Sequence, residues 1–390
     1  MAQPGTRRVR CGMRRALALL ALASGLALAG GGGGPALTGL PTPTFMGKAV
    51  LTALAVDGTG VPVLAWTALS SAQHTQLHAA RFTGGRWTPL GGVLNAGPAF
   101  NATQLTARTA PDGRVWLGWA EDSGEAHVDS YLLSVWDGRA WSDPERYVLR
   151  RDLSDAGRSR SFDVRPSGAP LLAWTDLDYR PAPDAPRVAG NVVRPFMWTG
   201  QTWWRDRPLS VPGRYAFAPS LRLGPDGSGA VTFLEGDAAT SDVRVQQRRA
   251  DGTWAPLGGP LNRRAHSYAA APTLALAPGG RPVLAWLEGE GDLDRLQVSR
   301  WTGTVWQPLG SSVSTPGVSA EAPALGVTRN GQPVLAWLEA GHLRAARWTG
   351  TAWQSFSLPA THEASGPSLS PDGTYLAVSD GGRVGVWRLP

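Results

Sequence analysis

The sequence predicts an all-β fold, a seven-bladed β-propeller of four-stranded antiparallel blades closed by an N-terminal strand that completes the last blade. Three observations carry that prediction. A unit of roughly fifty residues recurs along the chain, each unit holds two tight-turn signals, and one strand per unit is apolar on both faces.

In chain order, the first element is an address. Arg7, Arg8, Arg10, Arg14 and Arg15 precede an apolar run from Ala16 to Ala29 that ends in the small-residue pattern Ala27-Leu28-Ala29. Residues 1–29 therefore read as a signal peptide, with a core shorter than the about 20 residues a membrane-spanning helix needs, so no transmembrane anchor is expected. Residues 30–41 read as a flexible Gly-rich leader and 42–390 as a single propeller domain. Its blades fall roughly at 47–97, 98–153, 154–213, 214–265, 266–317, 318–359 and 360–390 plus 42–46.

The repeat sets the blades. One unit reads Ala271-Pro272-Thr273-Leu274-Ala275, then Pro282-Val283-Leu284-Ala285-Trp286, then Arg300-Trp301-Thr302-Gly303-Thr304-Val305-Trp306. The next is nearly the same: Ala322-Pro323-Ala324-Leu325, Pro333-Val334-Leu335-Ala336-Trp337, then Arg347-Trp348-Thr349-Gly350-Thr351-Ala352-Trp353. Equivalents of Trp286 fall at Trp66, Trp119, Trp174, Phe233, Trp337 and Val378, which makes seven units.

Two turns divide each unit into strands A to D. The first, such as Asp112-Gly113, Asp226-Gly227, Asn330-Gly331 or Asp372-Gly373, pairs residues that tolerate the positive φ of tight hairpins. The second, as in Gly84-Gly85, Gly138-Arg139, Gly200-Gln201, Gly303-Thr304 and Gly350-Thr351, has the Gly-first order of a type II′ loop, and Asp251-Gly252 suits type I′. A two-residue loop at Gly303-Thr304 sets Trp301 opposite Trp306. The same register pairs Phe82 with Trp87, Trp136 with Trp141, Trp198 with Trp203 and Trp348 with Trp353. Strand B, typified by Pro-Val-Leu-Ala-Trp, lacks the alternation of a half-wet sheet, so both faces are expected to be buried, with Trp66, Trp119, Trp174, Trp286 and Trp337 as structural residues. The last unit ends after its third strand at Trp387, and a segment near Thr42–Met46, with Phe45 at the aromatic position, is expected to supply the fourth.

Ser370-Pro371-Asp372-Gly373-Thr374-Tyr375-Leu376-Ala377-Val378, followed by Val384-Gly385-Val386-Trp387, resembles a blade of the WD40-like and TolB-like propellers, over about the last thirty residues. The hairpins such as Gly138-Arg139-Ala140-Trp141 are similar to the second half of the Asp-box, Ser-x-Asp-x-Gly-x-x-Trp, of sialidase-like propellers. The motif's Asp is replaced by Phe82, Trp136, Trp198, Trp301 and Trp348, and no Arg-Ile-Pro occurs. The resemblance thus implies a hairpin geometry for a secreted bacterial repeat protein more than it implies sugar hydrolysis.

Composition narrows the function. The whole chain carries +7, but the first 29 residues hold five of its 37 basic residues and none of its 30 acidic ones, so the remainder carries +2. Lys48 is the one lysine and the arginines are scattered, with no stripe for nucleic-acid phosphates, so nucleic acid is not an expected partner. Cys11, the single cysteine, lies in the signal. No nucleophile elbow, zinc-protease helix or phosphate loop occurs.

One pattern outlasts packing. An acid stands two positions after the strand B aromatic in six units: Glu121, Asp176, Glu235, Glu288, Glu339 and Asp380. The set is expected to ring the face that carries the B-to-C and D-to-A loops. Either the carboxylates form a funnel for cations or basic peptides, or they cap loop N–H groups; the second reading is favoured. Tyr179, Tyr268 and His266 join them as candidate ligand-binding residues near that face, with Tyr215, His362 and Glu363 close by. Glu288-Gly289-Glu290-Gly291-Asp292-Leu293-Asp294 alternates acids in a way compatible with Ca²⁺ but reads better as a solvated loop; otherwise no cofactor is expected.

These features lead to an exported, non-catalytic propeller, expected as a monomer in the periplasm, cell envelope or outside, that binds a protein, peptide or glycan on its loop-bearing face. A sialidase-like, glycan-cleaving enzyme assembled from several blades, and a structural scaffold, remain as alternatives. The central channel separates the first two: arginines clustered with a tyrosine and a carboxylate favour the enzyme, and a shallow acidic funnel favours the binder.

Overall fold

A computed structural model describes residues 35–43, 48–97, 99–122, 128–152, 159–178, 190–211, 214–236 and 240–390. They form seven four-stranded antiparallel sheets. Six of these run A-B-C-D in chain order, and the seventh joins a strand from the start of the chain to three from its end. The A strands are Lys48–Val56, Asn101–Thr109, Arg160–Val164, Tyr215–Leu223, Ala269–Ala277, Ala320–Val327 and Ala364–Leu369. Each packs against the next around the ring, and the first packs against the last. Among the described residues no helix is long and apolar enough to cross a membrane; Pro144–Tyr147 is a single 3-10 turn.

The B strands are buried along nearly their whole length, as in Pro62–Leu69 and Pro333–Glu339. Such strands cannot stand alone in water, because neither face can be hydrated without exposing Leu, Val or Trp. Burial against both neighbouring blades resolves this, and Trp119, Trp174 and Trp286 are essentially inaccessible.

The aromatic pairs lie in the expected register: Phe82 opposite Trp87, Trp136 opposite Trp141, Trp198 opposite Trp203, Trp301 opposite Trp306 and Trp348 opposite Trp353. The second indole of each pair also reaches the preceding blade. Nε1 of Trp141, Trp203, Trp306 and Trp353 donates to the carbonyls of Leu90, Tyr147, Leu257 and Leu309 at 2.7–3.2 Å. In blade 4, Gln246 Nε2 bonds the Leu209 carbonyl at 3.0 Å.

Ring closure uses an earlier segment than expected. Thr38–Gly39 pairs with Arg388 and Trp387, and Leu40 N–H donates to Val386 O at 2.9 Å. Thr42–Met46 is interrupted by Pro43 and preceded by Pro41, which carry no N–H for a ladder, whereas Thr38-Gly39-Leu40 offers three consecutive donors. Residues 44–46, Phe45 among them, lie outside the described residues. Trp87 Nε1 bonds Pro41 O at 2.8 Å and ties the closing strand to blade 1.

Two turn assignments are corrected. At Asp251-Gly252 only the Gly is left-handed (φ 91°), in a three-residue loop in which Arg249 N–H bonds Thr253 O. Asp251 is not left-handed because its carboxylate accepts from Thr253 N–H at 2.8 Å, an Asx turn. Gly84 and Gly85 both take positive φ, the type I′ pattern instead of II′.

The A strands share an unforeseen feature. Gln104, Ala218, Ala271, Ala322 and Gly366 are left-handed (φ 46–55°) at β-bulges in blades 2, 4, 5, 6 and 7. In four of them Pro follows, at positions 219, 272, 323 and 367.

Candidate functional site

The acids after strand B are placed by the strand itself, which ends where the loop from the preceding blade arrives. Each of five accepts backbone N–H from that loop: Glu121 from Ala96 (2.8 Å), Glu235 from Val211 (2.7 Å), Glu288 from Arg263 and Arg264 (2.9 and 2.8 Å), Glu339 from Thr315 (2.7 Å), and Asp380 from His362 and Glu363 (3.0 and 2.8 Å). Three also take the indole N–H of their own strand, from Trp119, Trp286 and Trp337 at 2.8–3.0 Å. A Trp-x-Glu clasp results, locking an aromatic core to a loop. Asp176 differs: its Oδ2 is shared by Arg194 (3.0 Å) and Arg205 (2.6 Å).

Environment separates the clasps electrostatically. Burial pushes the Glu121 carboxyl above its usual range, against the pull of the Trp119 and Ala96 donors. Glu339 feels the same desolvation, but Trp337, Thr315 and Arg344 outweigh it and hold its carboxyl below the usual range. All four Glu are almost inaccessible, and their oxygens face donors of their own chain.

The remaining expected residues divide. Tyr179 lies outside the described residues. His266 is left-handed (φ 59°) in the loop clasped by Glu288, and Tyr268 immediately precedes the A strand Ala269–Ala277. Tyr215 holds the equivalent place one blade earlier, since Ala216 faces Glu235 as Ala269 faces Glu288. The two phenols are 50% and 44% exposed. In the acidic run Glu288 is the clasp, and Glu290 contacts Arg264 and Arg295. Among the described residues no three His, Cys, Asp or Glu side chains converge as metal ligands.

The A strands enclose a central cavity of about 340 Å³, to which all seven contribute. Two arginines that line it, Arg108 and Arg222, were missed from sequence. Arg108, Asp163 and Arg222 occupy the same register in blades 2, 3 and 4, facing Trp116, Leu171 and Ala230; Ala55, Ala275 and Gly326 hold that register in blades 1, 5 and 6. The signal was present: each stands eleven residues before its strand B aromatic, a column that reads Ala or Gly in blades 1, 5 and 6. Nearby, the Arg160 guanidinium lies 4.6 Å from the Trp174 ring centre and 5.3 Å from that of Tyr131.

Arg108, Arg160 and Arg222 thus line the cavity, and among the described residues no carboxylate does; Tyr131 and Asp163 are buried beside these arginines. Their arrangement is not that of a nucleophile and base. The Tyr131 hydroxyl is buried beside Trp174 and its pKa is pushed up to about 12 by desolvation, which keeps its proton in place. Asp163 accepts Val164 N–H at 2.8 Å and Leu223 N–H at 2.9 Å, and burial raises its carboxyl against the pull of Arg108 and Arg222.

No protein-family model matches the chain, and no curated protein matches it. Solved structures do. An ulvan lyase of a polysaccharide lyase family aligns with a TM-score of 0.55 at 13% identity, over 92% of this chain and 95% of that one. The β-propeller domain of Myceliophteria thermophila Cps50 gives 0.54 at 12%, over 91% and 100%. An α-L-arabinanase of Penicillium chrysogenum gives 0.50 at 14%, over 91% and 98%. The shared property is the fold. The chain is a seven-bladed β-propeller whose similar structures include two glycan-active enzymes and one propeller domain of a different kind, so likeness alone does not divide binding from catalysis.

Proposed function

We propose that this protein is an exported binding propeller that takes a protein, peptide or glycan partner on its loop-bearing face, with Tyr215 and Tyr268 as the anchors. The observation that carries the reading is the pair of half-exposed phenols at equivalent positions of adjacent blades, at one mouth of the channel. Amphipathic rings held at the entry to rigid strands give contact area at small entropic cost. The loops beside them are pinned from below by Glu235 and Glu288, which pre-organises the surface. Export rests on residues 1–29 of the sequence, and the degenerate Asp-box hairpins and WD40-like last blade support kinship with secreted repeat propellers.

The test is a screen of the secreted form on glycan and peptide arrays beside a Tyr215→Ala/Tyr268→Ala double variant, with N-terminal sequencing of that form. The proposal expects a ligand whose signal falls at least tenfold in the variant, and a mature N-terminus near Gly30. Array signals equal in both proteins would refute the anchors. The arginines that line the channel, with Tyr131 and Asp163 buried beside them, favour a second, glycan-cleaving reading, and turnover of any chromogenic glycoside by the purified protein would favour it over the first.

A further inference from the structure

We propose that the central channel is a binding site for an oxyanion, a sulfate, phosphate or carboxylate group, held between Arg108 and Arg222. The inference does not rest on the tyrosine anchors. Its ground is charge bookkeeping in a confined place. Two guanidiniums, Arg108 and Arg222, line the cavity of about 340 Å³ at the centre of the ring, and one carboxylate, Asp163, holds the same strand register beside them, which leaves a net positive charge there. Nor does Asp163 serve as a salt-bridge partner: among the described residues neither Arg108 nor Arg222 has a carboxylate oxygen within ion-pair distance. The nitrogens that are bonded meet only carbonyls, Arg108 Nε with Phe162 O (3.1 Å), Arg108 Nη1 with Ala107 O (2.8 Å) and Arg222 Nη1 with Leu221 O (2.8 Å).

Buried charge with no carboxylate in ion-pair contact is costly, and the arginines register it. Desolvation lowers both guanidiniums from their usual value, Arg222 to about 9, with Arg108 adding repulsion and Asp163 offsetting part of it. Arginine does not relieve such stress by losing its proton; it binds an anion. The planar fork suits two oxygens of one acid group, and hydroxyls of Thr106, Ser220 and Thr273 line the same cavity as further donors. A cavity of about 340 Å³ is at the small end of ligand sites, which fits an inorganic ion or one acidic group of a larger ligand.

The experiment is calorimetric titration of the full mature protein with sodium sulfate, sodium phosphate and sodium acetate, at ionic strength held constant with chloride. Wild type is expected to bind at least one of the three at a single site, and the arm that binds identifies the acid group. Arg108→Gln/Arg222→Gln should weaken that binding at least tenfold, Asp163→Asn should tighten it several-fold by removing the competing negative charge, and Tyr215→Ala/Tyr268→Ala should leave it unchanged. No saturable heat with any of the three anions, or equal affinity in wild type and the arginine variant, would overturn the proposal. If the arginine variant does not fold, Asp163→Asn decides: tighter binding supports the site, and unchanged or weaker binding refutes it.

Discussion

Replacing Glu288 with Ala removes the acceptor of four hydrogen bonds at once: from Arg263 N–H, Arg264 N–H, the Ser267 hydroxyl and Trp286 Nε1. The consequences differ by site. The loop donors lie near the surface and rehydrate, at a loss of about 0.5–1 kcal/mol each. The Trp286 indole is inaccessible to water, so its N–H stays orphaned at about 1–3 kcal/mol. Allowing for non-additivity, the total is about 3 kcal/mol. With an unfolding entropy of about 2.1 cal/mol/K per residue over roughly 350 residues, that corresponds to a fall in Tm of about 4 °C. Glu288→Gln keeps one carbonyl acceptor and should fall by about half as much. The assay is differential scanning calorimetry at neutral pH, with Glu339→Ala as a second site in another blade, expected to add to the first within about 0.5 kcal/mol. A Glu288→Ala protein melting within 1 °C of wild type would refute the clasp and return Glu288 to the pool of ligand-binding acids.

Four further outcomes follow from the same geometry. Glu339 is depressed in the folded state, so its contribution is present above the unfolded carboxyl range and lost as pH falls through its folded pKa; the Tm gap between wild type and Glu339→Gln should therefore close on acidification. Glu121 is raised, so its sign is opposite, and wild type should gain on Glu121→Gln as pH drops from 7 toward 4. Ala218→Gly, Ala271→Gly and Ala322→Gly relieve left-handed alanines and should each stabilise by about 0.5–1 kcal/mol in denaturant titrations. Gly58→Ala brings a Cβ to 2.8 Å from Gly113 Cα, where the turns of blades 1 and 2 touch, and should cost about 1–3 kcal/mol by the same titration.

Most of the fold was legible because a propeller repeats its reasons. The Trp pairs followed from hairpin register, the double burial of strand B from its unbroken apolar run, and the missing fourth strand of the last blade from the position of Trp387. Turn type was less legible, since Asp251 competes for its own backbone in a way that a dipeptide does not reveal. Thr38–Gly39 was overlooked as the closing strand because a Gly-rich leader reads as flexible, although Pro41 and Pro43 already argued against the segment chosen. The acids were found and their capping role was the favoured reading; that a Trp two residues earlier shares the bond was visible as Trp119/Glu121, Trp286/Glu288 and Trp337/Glu339. The arginine layer escaped because charge was judged by runs along the chain, whereas a ring gathers residues about fifty apart into one plane.

This ring neutralises some of its charges internally and leaves others open, and diffraction from crystals of the protein soaked in selenate tests that division most directly. An anomalous peak between the Arg108 and Arg222 guanidiniums, with the strand B carboxylates still on their loops, is the predicted result. Selenate bound elsewhere while the channel holds only water, or acids turned out to solvent, would contradict it.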